Sequence, residues 1–233
     1  MPEWGTYSPS DFPMFSDRTY HRLFELLNRA TWPAQITTLA AGVALLVLLR
    51  RTDERSGRIA SGLLAAAWLV VAWAYFWEKY ATIHWAGRHI AVLFTGQALW
   101  LGWVGVVRGR IVFAANEGIV ARIGIGLAAL AVLAYPLLAR LFGRPWAQTE
   151  VFGLAPDPTV AATLGVVLAA LQVRWSLLVV PILWSVFSGL TLWTMKSPDA
   201  WVLPLLAVAG IVMAGVRQLR SGGSEYSRAR AGD

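Results

Sequence analysis

The sequence contains no cysteine, and this absence removes several kinds of chemistry at once. Disulfides, thiolate metal sites, iron–sulfur clusters and cysteine nucleophiles all require a thiol. Charged residues are also scarce: they make up 14% of the 233 residues, against about a quarter in an ordinary soluble domain. Too few polar side chains remain to cover a surface facing water, so the composition predicts an integral membrane protein.

Lysine is nearly absent, since Lys79 and Lys196 are the only two and neither lies in a predicted span. A seven-helix retinal protein needs a lysine in its last helix to form the Schiff base, so retinal is excluded as a cofactor. The net charge of +7 comes from arginines that stand between apolar runs. We interpret these arginines as topology signals and contacts to lipid headgroups, with the bilayer as the partner and no nucleic acid.

Familiar enzyme motifs are missing as well. The sequence has no phosphate-binding loop, no H-E-x-x-H pair and no Gly-x-Ser-x-Gly elbow. Whether the protein is an enzyme stays open, and these absences weigh against it.

Long apolar runs are abundant. Five of them predict helices over residues 33–49, 59–77, 90–107, 119–138 and 201–216. As a single helix, the apolar stretch 160–193 would be roughly 50 Å long, against a hydrocarbon core of about 30 Å. We therefore predict two helices with a turn near Gln172 and Arg174. The predicted fold class is an all-α membrane bundle of about seven transmembrane helices.

A shorter segment with two faces precedes the first span. Tyr20, Leu23, Phe24 and Leu27 recur at helical spacing, and arginines occupy the opposite face. This pattern predicts an interfacial helix, with Ser16 or Asp17 as its N-cap. The predicted organisation is an extracytoplasmic segment over residues 1–31, a transmembrane domain over 32–216 and a flexible cytoplasmic tail over 217–233.

The distribution of arginine and lysine on alternate sides of the spans predicts the orientation. The richer side, expected to be cytoplasmic, holds Arg50, Arg51, Arg55, Arg58, Arg108, Arg110, Arg122, Arg174, Arg217, Arg220, Arg228 and Arg230. This places the N-terminus outside and the C-terminus inside.

The centres of the predicted spans carry no carboxylate, although ion-coupled transporters commonly place one there. Gln97 is the most polar residue inside, and it predicts either an interhelical hydrogen bond or a contact to a solute. Pro136, Pro181 and Pro204 would each free a backbone carbonyl. Such breaks line cavities in transporters, but they are also ordinary in membrane helices.

The three histidines all fall on the predicted outer side, together with nearby carboxylates. Imidazole and carboxylate groups are ligands for zinc, copper or iron, and histidine can also relay protons. The candidate metal ligands are His21, Glu25, Glu78, His84 and His89. Their spacing matches no known metal motif, so scattered interfacial residues are the alternative interpretation.

Two stretches carry a family resemblance: FSDRTYHRLFELLNRATWPAQ at residues 15–35 and WAYFWEKYATIHWA at residues 73–86. Both resemble an uncharacterised family of bacterial multi-pass membrane proteins that has no assigned activity. The resemblance implies a bacterial inner-membrane protein and covers most of the chain. It directs interest to Asn28, Trp32, Glu78 and Trp85, which stand inside the two stretches.

Three functions remain open at this point. The first is a small-solute or ion transporter or channel, with Asn28, Gln97 and Pro181 as candidate residues of the solute path. The second is a membrane subunit that anchors or stabilises a larger complex, and a homo-oligomer is also possible. The third is a metal-binding membrane protein or enzyme that uses the outer histidines and glutamates. The aromatic residues of the second span raise a further possibility, an apolar ligand such as a quinone.

Overall fold

A computed structural model describes residues 16–114 and 118–230, with side chains through residue 219. Within these ranges the regular secondary structure is entirely helical, and Phe113 and Ala170 form one isolated antiparallel bridge. The α-helices are α1 Asp17–Thr31, α2 Ala34–Leu48, α3 Glu54–Val70, α4 Gly87–Leu101, α5 Gly118–Ala129, α6 Tyr135–Leu141, α7 Pro156–Ala169, α8 Val179–Thr194 and α9 Val202–Arg230. Residues 1–15 of the predicted N-terminal segment and residues 231–233 of the predicted tail lie outside the described residues.

Five helical segments of the described chain are long and apolar enough to cross a membrane. They are Glu54–Thr82, Gly87–Val107, Gly118–Leu141, Trp175–Thr194 and Val202–Leu219. The pair α1 and α2 would add a sixth, but the two helices are bent by 96° where they join. The predicted all-α bundle is therefore confirmed, whereas the predicted count of seven spans is not, because α2 and α7 are short.

Helix α1 begins where the sequence predicted, with the Ser16 side chain accepting a hydrogen bond from the main-chain nitrogen of Thr19. Its apolar face is buried, and its axis turns sharply away from that of α2. The helix therefore lies across one end of the bundle and covers it. We call this the α1 end, and the opposite end, which holds residues 50–53, 108–114 and 170–175, the arginine end.

Helix α7 forms the centre of the bundle. All of its residues are buried, and it packs against α3, α5, α8 and α9. It crosses α5 at a close backbone contact, because a Cβ atom on Gly165 would lie 2.6 Å from the carbonyl oxygen of Gly124 and 2.5 Å from the nitrogen of Ala128. Two small residues thus let the helices approach as side chains would not.

The break in the apolar stretch 160–193 is where the sequence placed it, since α7 ends at Ala169 and α8 begins at Val179. The glycines and prolines of residues 141–158 predict an irregular loop, and the structure differs from this prediction at the end of the segment. Helix α7 already starts at Pro156, and Phe152, Leu154 and Ala155 are buried. The connection before α7 therefore enters the bundle instead of staying at its surface.

Three helices change to π-helical geometry along their length, which the periodicity did not predict. The π-helical segments are Val71–Trp77 after α3, Gly102–Val107 after α4 and Leu130–Ala134 before α6. The third segment directly precedes Pro136, which cannot donate to a carbonyl one turn earlier, so the local hydrogen-bond register must change there. Such π-helical turns are frequent at functional sites.

Candidate functional site

Three carboxylates are buried beneath α1 at the α1 end. Glu150 comes from the connection between α6 and α7, Asp157 from the first turn of α7, and Asp199 from the connection between α8 and α9. They are 7%, 2% and 7% exposed. The Arg144 guanidinium donates to Asp199 Oδ2 at 2.5 Å and lies 3.4 Å from Glu150 Oε1. We refer to Arg144, Glu150, Asp157 and Asp199 as the carboxylate cluster.

Local sequence explains how the connection before α7 reaches this position. Gly143 and Gly153 adopt φ angles of +75° and +78°, which other residues rarely tolerate. The main-chain nitrogen of Gly153 donates to the Thr159 hydroxyl at 2.9 Å, which ties the connection to the first turn of α7. From above, the Asn28 side chain of α1 donates to the carbonyl oxygens of Ala147 and Thr149. These hydrogen bonds fix the connection between α1 and the rest of the bundle.

Asp157 accepts hydrogen bonds from two helices of the bundle. The indole nitrogen of Trp184 donates to Oδ1 at 2.7 Å, and the Ser188 hydroxyl donates to Oδ2 at 2.8 Å. The Tyr135 hydroxyl lies 3.5 Å from Oδ2. The carboxylate also stands in the first turn of α7, where the helix dipole favours negative charge. These hydrogen bonds and the helix dipole favour the ionised form of the Asp157 side chain.

The carboxylate cluster is unbalanced in charge, because three acids share one arginine. With every group ionised, two negative charges would be left in excess at a buried site, which is costly. Burial and the Asp157 carboxylate raise the pKa of Glu150 to about 8, and the attraction of Arg144 is too weak to reverse this. The cluster therefore holds a proton near neutral pH, on a group that can release it at mildly alkaline pH.

His21 of α1 lies at the edge of the same cluster. Its Nδ1 atom is 3.1 Å from both the main-chain oxygen and the carboxylate Oδ1 of Asp17. Its Nε2 atom is buried and has no hydrogen-bond partner among the described residues. Burial and the positive charge of Arg144 lower the pKa of His21, so the neutral ring is favoured. With Nδ1 as the donor to Asp17, Nε2 keeps a lone pair that can accept a proton.

Aromatic rings fill the space between α1 and the bundle beside the cluster. Phe24 stacks on Tyr75 with ring centroids 5.1 Å apart, and Tyr75 in turn stacks on Tyr80 at 5.8 Å. Tyr75 belongs to the π-helical segment Val71–Trp77, and Tyr135 directly follows the segment Leu130–Ala134. Two of the three irregular helix turns thus present a tyrosine at this end.

The predicted metal ligands do not come together. Within the described chain, no group of three or more histidine or acidic side chains is placed to hold a metal ion. Glu25 pairs with Arg29 at 2.7 Å, Glu78 is exposed, and His89 packs on Trp85. The metal site stays a prediction that this geometry does not support.

His84 has a local role instead. Its ring stacks on Tyr80, and its Nδ1 accepts a hydrogen bond from the main-chain nitrogen of Ala86 at 3.1 Å. Partial burial lowers the pKa of His84, so the neutral ring is favoured.

The predicted solute-path residues lie apart from one another. Asn28 anchors the connection at the α1 end, as described above. Gln97 is buried and donates to the carbonyl oxygen of Leu177 at 2.9 Å, which is the interhelical hydrogen bond that the sequence offered as one interpretation. Pro181 is buried in α8, and its carbonyl oxygen accepts from the Ser185 hydroxyl. A path through all three residues stays a prediction.

Sequence reasoning missed all four residues of the carboxylate cluster. It placed Asp157 in the irregular loop over residues 141–158 and looked for carboxylates only at the centres of the predicted spans. It therefore did not foresee that Asp157 contacts Trp184 and Ser188 in the candidate span Trp175–Thr194. One local signal was available: Pro-Asp-Pro at residues 156–158 directly precedes an apolar run and predicts a helix start.

Comparison with known proteins adds a family and no activity. No curated protein and no solved structure matches the chain. A family model described as a family of unknown function, DUF6064, matches residues 17–224. This range includes α1, the whole carboxylate cluster, the second stretch on which the resemblance rested and all but the first two residues of the first stretch. The chain therefore belongs to the DUF6064 family of unknown function.

Proposed function

We propose that this protein is a small-solute or ion transporter that binds and releases a proton at the carboxylate cluster. The observation that carries the proposal is the excess of buried acid over base: three carboxylates and one arginine, inside a bundle of apolar helices. Ionisable groups inside a membrane protein are costly and mark ion pathways and proton relays.

The position of α7 supports the same function. This helix starts inside the bundle, and its N-terminal turn presents a carboxylate to the middle of α8. Transporters of several folds use helix ends inside the bundle as ion or substrate sites. His21 and Glu150 would offer two proton-accepting groups between the solution above α1 and the buried Asp157.

The proposal includes a location and an orientation. The arginine-rich end would face the cytoplasm of a bacterium, as the distribution of positive charge favours. Helix α1 and the carboxylate cluster would then face the outside. In this arrangement a proton reaches Glu150 from the outer side first.

The direct test is proton flux into proteoliposomes that contain the purified protein and an internal pH dye. A potassium diffusion potential would drive protons inward, alone and together with a panel of inorganic ions and small solutes. We expect flux well above that of empty liposomes, and a loss of at least about tenfold in Glu150→Gln and Asp157→Asn, in line with the usual contribution of a proton-transfer group.

Glu25→Gln is the matched control, because Glu25 is a carboxylate of the same end, on α1, and pairs with Arg29 outside the cluster. It should transport at the wild-type rate. The absence of flux above empty liposomes across the whole panel would overturn the proposal. So would equal loss of flux in the control variant.

A further inference from the structure

A groove of about 480 Å³ runs along the outer surface of the bundle between the α3 and α4 segments. One wall consists of Leu69, Trp73 and Trp77, and the other of Ala91, Val92 and Thr95. Trp73 and Val92 are 62% and 66% exposed, so the groove is open to the side of the bundle. The Thr95 hydroxyl bonds to the carbonyl oxygen of Ala91, which leaves the lining effectively apolar.

The two indoles of the groove form a flat wall. Trp73 and Trp77 stack with ring centroids 6.0 Å apart and ring planes inclined by 7°. This geometry follows from the π-helical segment Val71–Trp77, in which residues four apart share a face. The sequence suggested an apolar ligand near these aromatics. Of these aromatic residues, Trp73 and Trp77 line the groove. Trp68, Tyr75 and Phe76 are instead buried in the core.

A positive charge stands at the α1 end of the groove. The Arg88 guanidinium lies over the Trp77 ring, 5.4 Å from its centroid. Arg88 is exposed, and the ion pairs of the described chain do not include it. Lys79 lies two residues beyond Trp77 and offsets the charge of Glu78. The apolar groove thus ends in a cation that is held in place by an indole.

We propose that this groove binds one anionic phospholipid, with an acyl chain along Trp73 and Val92 and the phosphate at Arg88. The groove follows about 12 Å of an acyl chain, since the nine residues from Leu69 to Trp77 span eight rises along a helix axis. Tryptophan at the headgroup level and arginine beyond it match the order of chain, interface and phosphate in a bilayer. A zwitterionic lipid such as phosphatidylcholine would fill the groove equally well, but its own ammonium group already balances the charge of its phosphate.

The experiment is native mass spectrometry of the full chain, titrated with phosphatidylglycerol or with phosphatidylcholine of the same acyl chains. For the wild type we expect one phosphatidylglycerol to bind at least about fivefold more tightly than phosphatidylcholine, as one basic residue near the headgroups provides. Arg88→Gln should remove this preference. Val92→Trp, which fills the groove from its exposed side, should weaken the binding of both lipids.

Arg108→Gln is the matched control, because the Arg108 guanidinium lies 5.0 Å from the Trp103 ring centroid at the other end of the same helical segment. It should keep the wild-type preference. Equal binding of both lipids to the wild type would overturn the proposal, and so would an unchanged preference in Arg88→Gln. Release of the bound lipid by glycerol phosphate alone would also overturn it, because the acyl chain would then contribute nothing.

Discussion

The guanidinium of Arg144 at the α1 end differs in its partners from the guanidinium groups at the arginine end. At the arginine end, the side chains donate to main-chain carbonyl oxygens: Arg174 to Arg110 at 3.1 Å and Arg217 to Leu168 at 2.8 Å. Arg58 also donates to the carbonyl of Val106 and pairs with Glu54 in the open. At the α1 end, Arg144 is buried and bonds only to carboxylates among the described residues.

This difference separates structural arginines from an electrostatic one. Carbonyl groups at helix ends lack partners within the helix, and a guanidinium satisfies them in a position where water and lipid headgroups can share its charge. The Arg144 guanidinium is buried away from water and headgroups, and it is the one positive group beside three acids of the cluster. Removing a charge should therefore lower the free energy of unfolding only slightly at the arginine end and strongly at the α1 end.

The largest effect is expected from Arg144→Met. Removing the one guanidinium of the cluster leaves Asp199 buried without a counter-charge and Glu150 without a hydrogen-bond donor, which should lower the free energy of unfolding by about 3–5 kcal/mol. Arg58→Met at the arginine end breaks an exposed pair and should cost about 1 kcal/mol or less. Reversible unfolding in mixed detergent micelles would measure both.

A second variant shows whether charge, rather than lost packing, causes the loss. The double variant Arg144→Met, Asp199→Asn should be more stable than Arg144→Met alone, because the orphaned negative charge of Asp199 is removed. Equal losses in Arg144→Met and Arg58→Met would mean that the two ends do not differ in the way described.

The next effect concerns α7, the helix that joins the two ends. A Cβ atom at Gly165 would press on the main chain of α5, which cannot move aside as a side chain can. Gly165→Ala should therefore lower the free energy of unfolding by about 1–3 kcal/mol. The same substitution at Gly126 on α5 meets nothing within 4 Å and should be neutral or stabilising by up to about 1 kcal/mol.

The location of the damage is as informative as its size. Hydrogen exchange of α7 and of the connection that carries Glu150 should rise in Gly165→Ala, because both depend on the seating of this helix. If hydrogen exchange rose only near the arginine end, the position of Asp157 would depend on its bonds to α8 and not on the packing of α7 against α5.

Much of the frame follows from local sequence. The N-cap at Ser16, the buried face of α1 and the break near Gln172 and Arg174 were all predicted, because apolar periodicity and span length act over one or two helix turns. Gln97 was identified as a buried amide that needs a partner, and it has one. These features need no knowledge of distant parts of the chain.

The site required that knowledge. Arg144 and Asp199 are 55 residues apart, and Asp157 and Trp184 are 27 apart, so no local pattern connects them. Glu150 and Asp199 stand in short connections and Asp157 in the first turn of a helix, where a charged residue usually faces water. These acids are buried because α1 folds across them. The 96° bend after Thr31 makes this possible, and such a bend leaves no periodic pattern in the sequence. The π-helical turns were missed for a similar reason, since one extra residue per turn hardly alters a run of apolar letters.

The last prediction concerns the pH dependence of stability, which should have opposite signs at the two ends. Burial raises the pKa of Glu150 to about 8, far above the value of about 4.3 in an unfolded chain. Between these values the folded protein binds a proton that the unfolded chain has released. The stability that this proton contributes is complete below about pH 4 and is lost as the pH rises through about 8, with a slope of at most about 1.4 kcal/mol per pH unit.

Asp53 at the arginine end should behave in the opposite way. It caps α3, and hydrogen bonds from the main-chain nitrogen and the hydroxyl of Ser56 lower the pKa of Asp53. The stability that ionised Asp53 contributes is therefore present above its pKa of about 3.9 in the unfolded chain. It is lost as the pH falls through the lower pKa of the folded protein. Unfolding midpoints measured in detergent from pH 3 to pH 9 should then separate the two ends. Glu150→Gln should flatten the decline between pH 5 and pH 8, whereas Asp53→Asn should change only the acid limb. A wild-type decline that persisted in Glu150→Gln would assign the proton to another group of the carboxylate cluster, and the contrast between the ends would then rest on that group.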